Sequence, residues 1–494
     1  MNDAPRQWWN KIDKALRGYG MIPTRADRCT YVLYEPARAA GVKTRDTGLC
    51  RTSDKYNDLS TVEKAMDYLT DPIAGSPAKG MKTVGVICLH VDDLFITGGT
   101  ELERRVLSRL RKDFQVGSEG KNDVIFCGQY VRWSADHSHI EVEQYKAVEE
   151  LREIDFDKTL GDAVAASPSL HTAYRSVLGS LNWWQSRTQF HIAYKFSRCA
   201  SASAAPTIGD IRNINKVVRG LKAEPVSLRF WPLKGDCRIV GMPDASYRNN
   251  EDKSSQRGQC LFIAEMPVRD RNQKPHSRLS SNPGDSKGSL VDYESQKINR
   301  TTLSTTVSEL FSFMKCFGTA LFLKGLWFDI SALAVPIHMR TDANNLVTTA
   351  STTHLPEQKE TIHMISMLRK EAQTGSIDDL SHIRTENCLS DCLTKNMKPD
   401  TLVTAVKTGT LPLVDRHPPF RTLLKHKAYL ASWIGQTLDH ARDIVWFLGE
   451  NVYECVQGWF SQDPVKVVFG PTEVRNYEAA ADSNLTALAV KRRT

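Results

Sequence analysis

Two groups of acids in this chain carry the side chains that phosphodiester chemistry needs. One is an adjacent pair, Asp92 and Asp93. The other is dispersed: Asp244, Glu309, Asp342 and Asp391. Reactions at a phosphodiester commonly use two Mg²⁺ ions about 3.5–4 Å apart, which bridge the attacking and leaving oxygens. Mg²⁺ takes carboxylate oxygens and keeps several waters, so such a site needs several acids from different elements meeting at one place. The adjacent pair alone reads as ordinary turn chemistry, because Asp bonds its own backbone in turns. For the dispersed set, the competing account is separate surface acids and helix caps.

The elements around the acids can be read from hydrophobic periodicity. Trp8, Trp9, Ile12 and Leu16 predict a helix ending near Gly18, followed by a short strand at Tyr31–Tyr34. Thr83–Val91 and Leu94–Thr97 predict two strands of a hairpin whose tip is the acidic pair. A basic helix is expected over Leu102–Phe114, then strands over Asp123–Trp133 and His139–Val142. Helices are expected at 144–152, 172–186, 189–202 and 208–221. From Cys237 the period changes. Strands at Cys237–Met242, Arg257–Glu265 and Ser289–Ser295 are followed by a long helix from Ser304 to Leu326. A strand at Val335–Arg340, a helix at Glu357–Gln373, a strand at Ile377–Ile383 and a helix starting at Leu389 complete the pattern. The order β-β-β-α-β-α-β-α predicts an α/β domain with helices on a mixed sheet. Asp244 then ends the first strand, Glu309 faces inward from the long helix, Asp342 follows a strand, and Asp391 opens the last helix. Strand ends are where ligands gather in such sheets. Residues 416–462 read as amphipathic helix, and the end from Tyr477 reads as frayed.

The chain has 494 residues, 41% hydrophobic and 25% charged. That length suggests about three domains, and the composition excludes a collagen-like, wholly disordered or membrane-embedded chain. Lys and Arg number 65 against 57 Asp and Glu, a net charge of +8, which suits a polyanionic partner without demanding one. The eleven cysteines include no Cys-x-x-Cys pair and read as reduced intracellular thiols. The start has no apolar run of the kind a secretory signal carries. The most apolar late stretch, Ala431–Phe460, is broken by Asp439, His440, Arg442, Asp443 and Glu450, so no membrane span is expected there.

In order along the chain, short segments resemble the Pol polyprotein of copia-type LTR retrotransposons. Ala4-Pro5-Arg6-Gln7-Trp8 is similar to that family's Pro-Arg-x-Trp segment, and His90-Val91-Asp92-Asp93 to its Tyr-Val-Asp-Asp box. Phe114–Val131, Tyr174–Leu181 and Ile192-Ala193-Tyr194 resemble the segments that follow. Asp244-Ala245-Ser246, Leu303–Glu309, Thr341–Asn344 and Arg384–Lys395 resemble the four boxes of its ribonuclease H.

The resemblance implies an α/β and α+β multidomain chain. Its parts would be a partial reverse transcriptase palm (1–143), a mostly helical thumb or connection (144–235), a ribonuclease H-like α/β domain (236–400) and a helical C-terminal extension (401–494). It implies that Asp244, Glu309, Asp342 and Asp391 are catalytic and hold two Mg²⁺ or Mn²⁺ ions. Asp92 and Asp93 would be a polymerase remnant, with Asp92 a metal ligand. The family's first palm Asp lies upstream of the Pro-Arg-x-Trp segment, so the chain reads as N-terminally truncated, with RNA-directed DNA polymerase activity impaired; His90 also stands where the family has Tyr. The implied partners are an RNA:DNA hybrid, an RNA template and DNA, with no membrane. The implied place is inside the cell, in cytoplasm or nucleus. The basic helices Arg104–Lys112 and Arg212–Lys222 are candidates to line the nucleic-acid path, as against plain solvated faces. The rival expectation is a catalytically silent retroelement relic, or a domesticated nucleic-acid-binding protein.

Overall fold

The computed structural model describes residues 4–37, 73, 75–266, 286–351, 361–413 and 484–489. The amphipathic helix expected over 416–462 lies outside the described residues. The chain divides into two compact units. The first takes Met1–Phe126, Leu321–Ala334 and the late segment that carries the strand Asn484–Ala489; the second takes Cys127–Ala320 and Val335–His426.

In the first unit the opening helix is Ala4–Gly18, and Ile12 and Leu16 are fully buried on its inner face. Its sheet runs in the order Met21–Pro23, Thr30–Pro36, Met81–His90, Asp93–Gly98, Asn484–Ala489, Ser118–Lys121, with every neighbour antiparallel. The expected frayed, helical end is corrected here: Asn484–Ala489 is a strand, paired on both sides. An open sheet edge presents unpaired N–H and C=O groups, and a short segment without strong local preference can satisfy them. Periodicity within the segment does not reveal such a partner.

The second unit begins with an antiparallel meander of Gln129–Trp133, Ile140–Glu143 and Leu228–Phe230. Between its second and third strands stand the helices Tyr145–Glu150, Pro168–Gln185, Ala193–Ser201 and Ile208–Ala223. Tyr174, Leu181, Ile211, Ile214 and Val218 form their core. Buried Asn215 holds the incoming loop by accepting from the Ile154 N–H (2.9 Å) and donating to the Ile154 carbonyl (2.8 Å).

A five-stranded mixed sheet follows, in the spatial order Gly288–Lys297, Gln256–Glu265, Cys237–Ser246, Ile337–Thr341, Asp379–His382. The first three strands are antiparallel neighbours, and the last two run parallel to the central one. The central strand Cys237–Ser246 is buried along nearly its whole length. The long helix is Thr305–Ser331, with Leu310, Phe313, Met314 and Phe317 buried. Among the described residues it alone is long and apolar enough to cross a membrane by length and composition, and 61% of its most apolar window is buried inside the protein. Those four side chains are the burial pattern of a core helix.

Two expectations shift. A helix at Asn344–Ser351 directly after Asp342 was not predicted. The helix expected from Leu389 is replaced by two single 3₁₀ turns, Thr385–Asn387 and Asp391–Leu393, before the helix Asp400–Thr408. Pro399 explains the late start: it restricts the residue before it and favours a helix that begins just after it.

Candidate metal centre

Parallel strands place their C-terminal ends on one edge of a sheet. Asp244 lies near that end of the central strand, and Asp342 directly follows the neighbouring strand Ile337–Thr341. The next parallel strand, Asp379–His382, leads into the 3₁₀ turn that opens on Asp391. As a result, one ligand atom from each of Asp244, Asp342, Asp391 and Cys388 lies within 4.8 Å of every other. Asp244 is 1% exposed, Asp391 is buried, and Asp342 is partly exposed.

Glu309 is not one of that mutually close set, although it was expected beside the other three acids. It sits early on the long helix and still feels the charges of Asp244, Asp342 and Asp391. Its side chain is 7% exposed.

The surroundings hold the acids in place. Thr394 donates its hydroxyl to Asp244 Oδ2. The Lys395 ammonium lies 2.9 Å from Asp391 Oδ1 and 3.7 Å from Asp244 Oδ2. Ser312, buried on the long helix, donates to the backbone carbonyls of Asp244 (2.7 Å) and Gly258 (2.9 Å), tying helix to strand at the site. His382 donates through Nε2 to the Asp342 carbonyl at 3.1 Å, since a carbonyl only accepts. Gly258 stands opposite Asp244 in the antiparallel register. A Cβ there would meet Thr394 Cγ2 at 2.8 Å and Leu393 Cβ at 2.9 Å, so only glycine lets the Asp391 turn lie this close to the sheet.

Crowding and burial oppose ionisation. Burial pushes Asp244 up to about 7; Asp391 and Asp342 add to this, and Lys395 and Thr394 oppose it. Burial, then Asp244 and Asp342, pushes Glu309 up to about 9. Burial also raises Asp391, against the pull of Lys395. Burial pulls Lys395 down, but Asp244 and Asp391 more than offset it and keep the ammonium above its ordinary range. This donor set fits a divalent cation. The oxygens are hard, they converge from separate elements, and added positive charge would relieve their repulsion. Cys388 Sγ lies at the same place, but burial and then the three Asp push its thiol well above the ordinary range, which keeps it a protonated neighbour of the acids.

Asp92 and Asp93 are arranged differently. His90 pairs with Asp93 across the hairpin, leaving Val91 and Asp92 as its two-residue turn. Val91 is 62% exposed and has φ 54°, an uncommon conformation for a β-branched residue. Trp8 Nε1 donates to the Val91 carbonyl at 2.7 Å and braces the turn. Burial and the neighbouring Asp92 raise the Asp93 carboxyl, and His90 opposes the rise. Neither acid belongs to the metal-competent group found among the described residues.

The basic helices meet acids of their own. Arg104 pairs with Glu101 at 2.8 Å, and Arg111 with Glu103 and Glu119. Arg212 pairs with Asp162 and lies over the Phe156 ring, and Arg219 pairs with Glu153. These cations are partly neutralised at the surface by acids of the same chain, which the charge runs alone did not show. The site residues that sequence reasoning missed are Thr394, Lys395, Ser312, Gly258 and Cys388. Cys388, Thr394 and Lys395 lay inside the Arg384–Lys395 box without a role, and Lys395 carried a further signal: it stands four residues after Asp391, within reach on a single turn.

No protein-family profile matches the chain, and no curated protein matches it. Solved structures do. An N-terminal ribonuclease H domain from Mycobacterium tuberculosis, solved as a fusion with maltose binding protein, is 13% identical with a TM-score of 0.22; the match covers 35% of this chain and 99% of that one. The compost-derived LC11 ribonuclease H1, in complex with an RNA/DNA hybrid, is 13% identical with a TM-score of 0.22, over 33% of this chain and 99% of that one. A foamy viral protease-reverse transcriptase, also in complex with an RNA/DNA hybrid, is 14% identical with a TM-score of 0.30, over 56% of this chain and 30% of that one. At these scores the site geometry, not the neighbours, carries the functional reading.

Proposed function

We propose that the second unit is a metal-dependent nuclease of the ribonuclease H type, which hydrolyses the RNA strand of RNA:DNA hybrids. The observation that carries this reading is the meeting of Asp244, Asp342 and Asp391 at one sheet edge, with buried Glu309 near enough to feel their charges. The sequence boxes support it, because the acids that converge are those the copia-type resemblance picks out. Under this reading the chain is retrotransposon-derived, its RNA and DNA partners are those of a reverse transcriptase, and it works inside the cell. Residues 1–143 are then read as part of the palm region, 144–235 as thumb or connection, and 236–400 as the nuclease domain.

Asp244, Glu309, Asp342 and Asp391 would hold two Mg²⁺ or Mn²⁺ ions. When bound, such a pair supplies an activated water and stabilises the leaving oxygen. The chain's own groups do the positioning. Thr394 fixes one oxygen of Asp244, Ser312 locks the strand to the helix, and His382 anchors the backbone at Asp342. Selection of RNA over DNA would rest on contact with the 2′-hydroxyl. The hairpin acids have no assigned step; they are read as a polymerase remnant.

The test is incubation of the full chain with end-labelled RNA:DNA hybrid and Mg²⁺ or Mn²⁺. Cleavage of the RNA strand, abolished in Asp342→Asn, is the expected result. A folded protein that cleaves nothing under either metal returns the reading to a silent relic that at most binds nucleic acid.

A further inference from the structure

The acid cluster already contains one cation of its own. Lys395 Nζ lies 2.9 Å from Asp391 Oδ1 and 3.7 Å from Asp244 Oδ2. Those two acids and Asp342 are the ones whose ligand atoms converge within 4.8 Å. An ammonium and a divalent cation seek the same carboxylate edges, and at about 4 Å they repel each other strongly at any protein-like dielectric. They therefore compete for this place.

The anchoring of Lys395 suits an exchange. Its backbone N–H donates to the Asp391 carbonyl at 3.0 Å, which fixes the main chain. The side chain is 38% exposed, on a flexible four-carbon stem, so the ammonium can swing to water without moving the turn that carries Asp391. The carboxylates cannot follow it: Asp244 is 1% exposed and held by Thr394.

We infer that Lys395 is the built-in counter-ion of the centre, and that a divalent cation binds there by displacing its ammonium, so that Lys395 sets how tightly the site takes metal. The inference rests on the metal-centre reading above and adds a control on its loading. Without metal, the ammonium holds the acids together. With metal, that task passes to the ion, and the freed ammonium stays at the rim.

The test is direct Mn²⁺ binding to the full chain at pH 8, followed by loss of the free-ion signal in electron paramagnetic resonance. Lys395→Met keeps the length of the stem and removes the charge. It is expected to bind Mn²⁺ about tenfold tighter than wild type, a modest share of the full charge–charge repulsion because the ammonium is partly solvated. Lys395→Arg keeps the charge and is expected to stay close to wild type. Thermal melts give a second readout: Lys395→Met should melt lower than wild type without metal and gain more on adding Mn²⁺. If wild type binds Mn²⁺ and Lys395→Met binds no tighter, the counter-ion role is overturned and the metal centre stands. If no variant binds, and Asp342→Asn is indistinguishable from wild type, the metal centre itself is overturned and this inference falls with it.

Discussion

At the hairpin, Asp92 and Asp93 are neighbours because the chain makes them so; at the sheet edge, Asp244, Asp342 and Asp391 meet because three parallel strand ends do. The hairpin pair stands on a two-residue turn with exposed Val91 at its tip, and its brace is a single indole donor. In the cluster Asp244 and Asp391 are buried, Ser312 ties Asp244 to the long helix, and Lys395 supplies a cation. Burial raises an Asp carboxyl at both places, but the cluster adds acids gathered from separate elements, which is what a metal can use. Adjacent acids in a sequence are a weaker signal than distant acids that a topology brings together.

The sharpest way to break this contrast is to remove one carboxylate from each place. Asp342→Asn should lower hybrid cleavage by well over 100-fold, beyond the roughly 10–100-fold typical of groups one layer out from a metal. Asp92→Asn with Asp93→Asn should leave cleavage within about twofold, since surface changes away from a site are usually near neutral. Single-turnover rates on a labelled hybrid measure both. Equal losses in the two variants would mean that the hairpin acids serve the same reaction.

Next in size is a change that touches no acid. Gly258→Ala puts a methyl group 2.8 Å from Thr394 Cγ2 and 2.9 Å from Leu393 Cβ. Overpacking of this kind costs about 1–3 kcal/mol, and here relief comes by lifting the Asp391 turn away from Asp244. Denaturant unfolding should show the loss in stability, and Mn²⁺ affinity should fall with it. A variant that loses stability but keeps wild-type metal affinity would show that the turn position does not matter to the centre.

Gly258 also marks where the sequence stops being legible. The strands, the long helix and the four acids could be read from periodicity and from the boxes, because an α/β sheet repeats a pattern that local residues announce. The approach of the Asp391 turn to the Gln256–Glu265 strand is a contact between distant segments, and a glycine in a strand announces only that something comes close. Asp391 was expected to open a helix and instead opens a 3₁₀ turn, because the contacts of Thr394 and Lys395 with Asp244 outweigh local preference. The strand Asn484–Ala489 was illegible for the same reason: its partners are far away in sequence. The basic helices were legible as charge but not as charge already paired with Asp162, Glu153 and Glu101.

A smaller effect separates positioning from ligation. Thr394→Val removes the hydroxyl that Asp244 accepts while keeping shape. Mn²⁺ affinity should weaken by about tenfold, the lower end for a group that orients a ligand, and Thr394→Ser should recover most of it. Titration of Mn²⁺ into each variant checks this. Failure of the serine variant to recover would assign Thr394 a packing role only.

The smallest expected effect is on stability against pH, and it tests the cluster as a whole. Asp244 and Glu309 are raised by burial and by neighbouring acids, to about 7 and about 9, against roughly 3.9 and 4.3 in an unfolded chain. For a carboxyl raised by folding, the protonated form is the one the fold favours. Its contribution is complete below about pH 4 and is lost as pH rises through the folded values. Asp379 behaves in the opposite sense. Burial raises it, but Arg340 and His338 more than offset this and hold it low, so its contribution is present above about pH 4 and does not change at higher pH. Metal-free protein should therefore melt lower at pH 9 than at pH 5, by about 5 °C, given roughly 2–4 °C per kcal/mol in a unit of this size. Saturating Mn²⁺ should remove most of that slope, because the ion does at high pH what protons do at low pH. Asp92→Asn should leave the slope unchanged, whereas Glu309→Gln should flatten it. A metal-free slope of the opposite sign, or one insensitive to Glu309→Gln, would mean that the four acids do not share one crowded place.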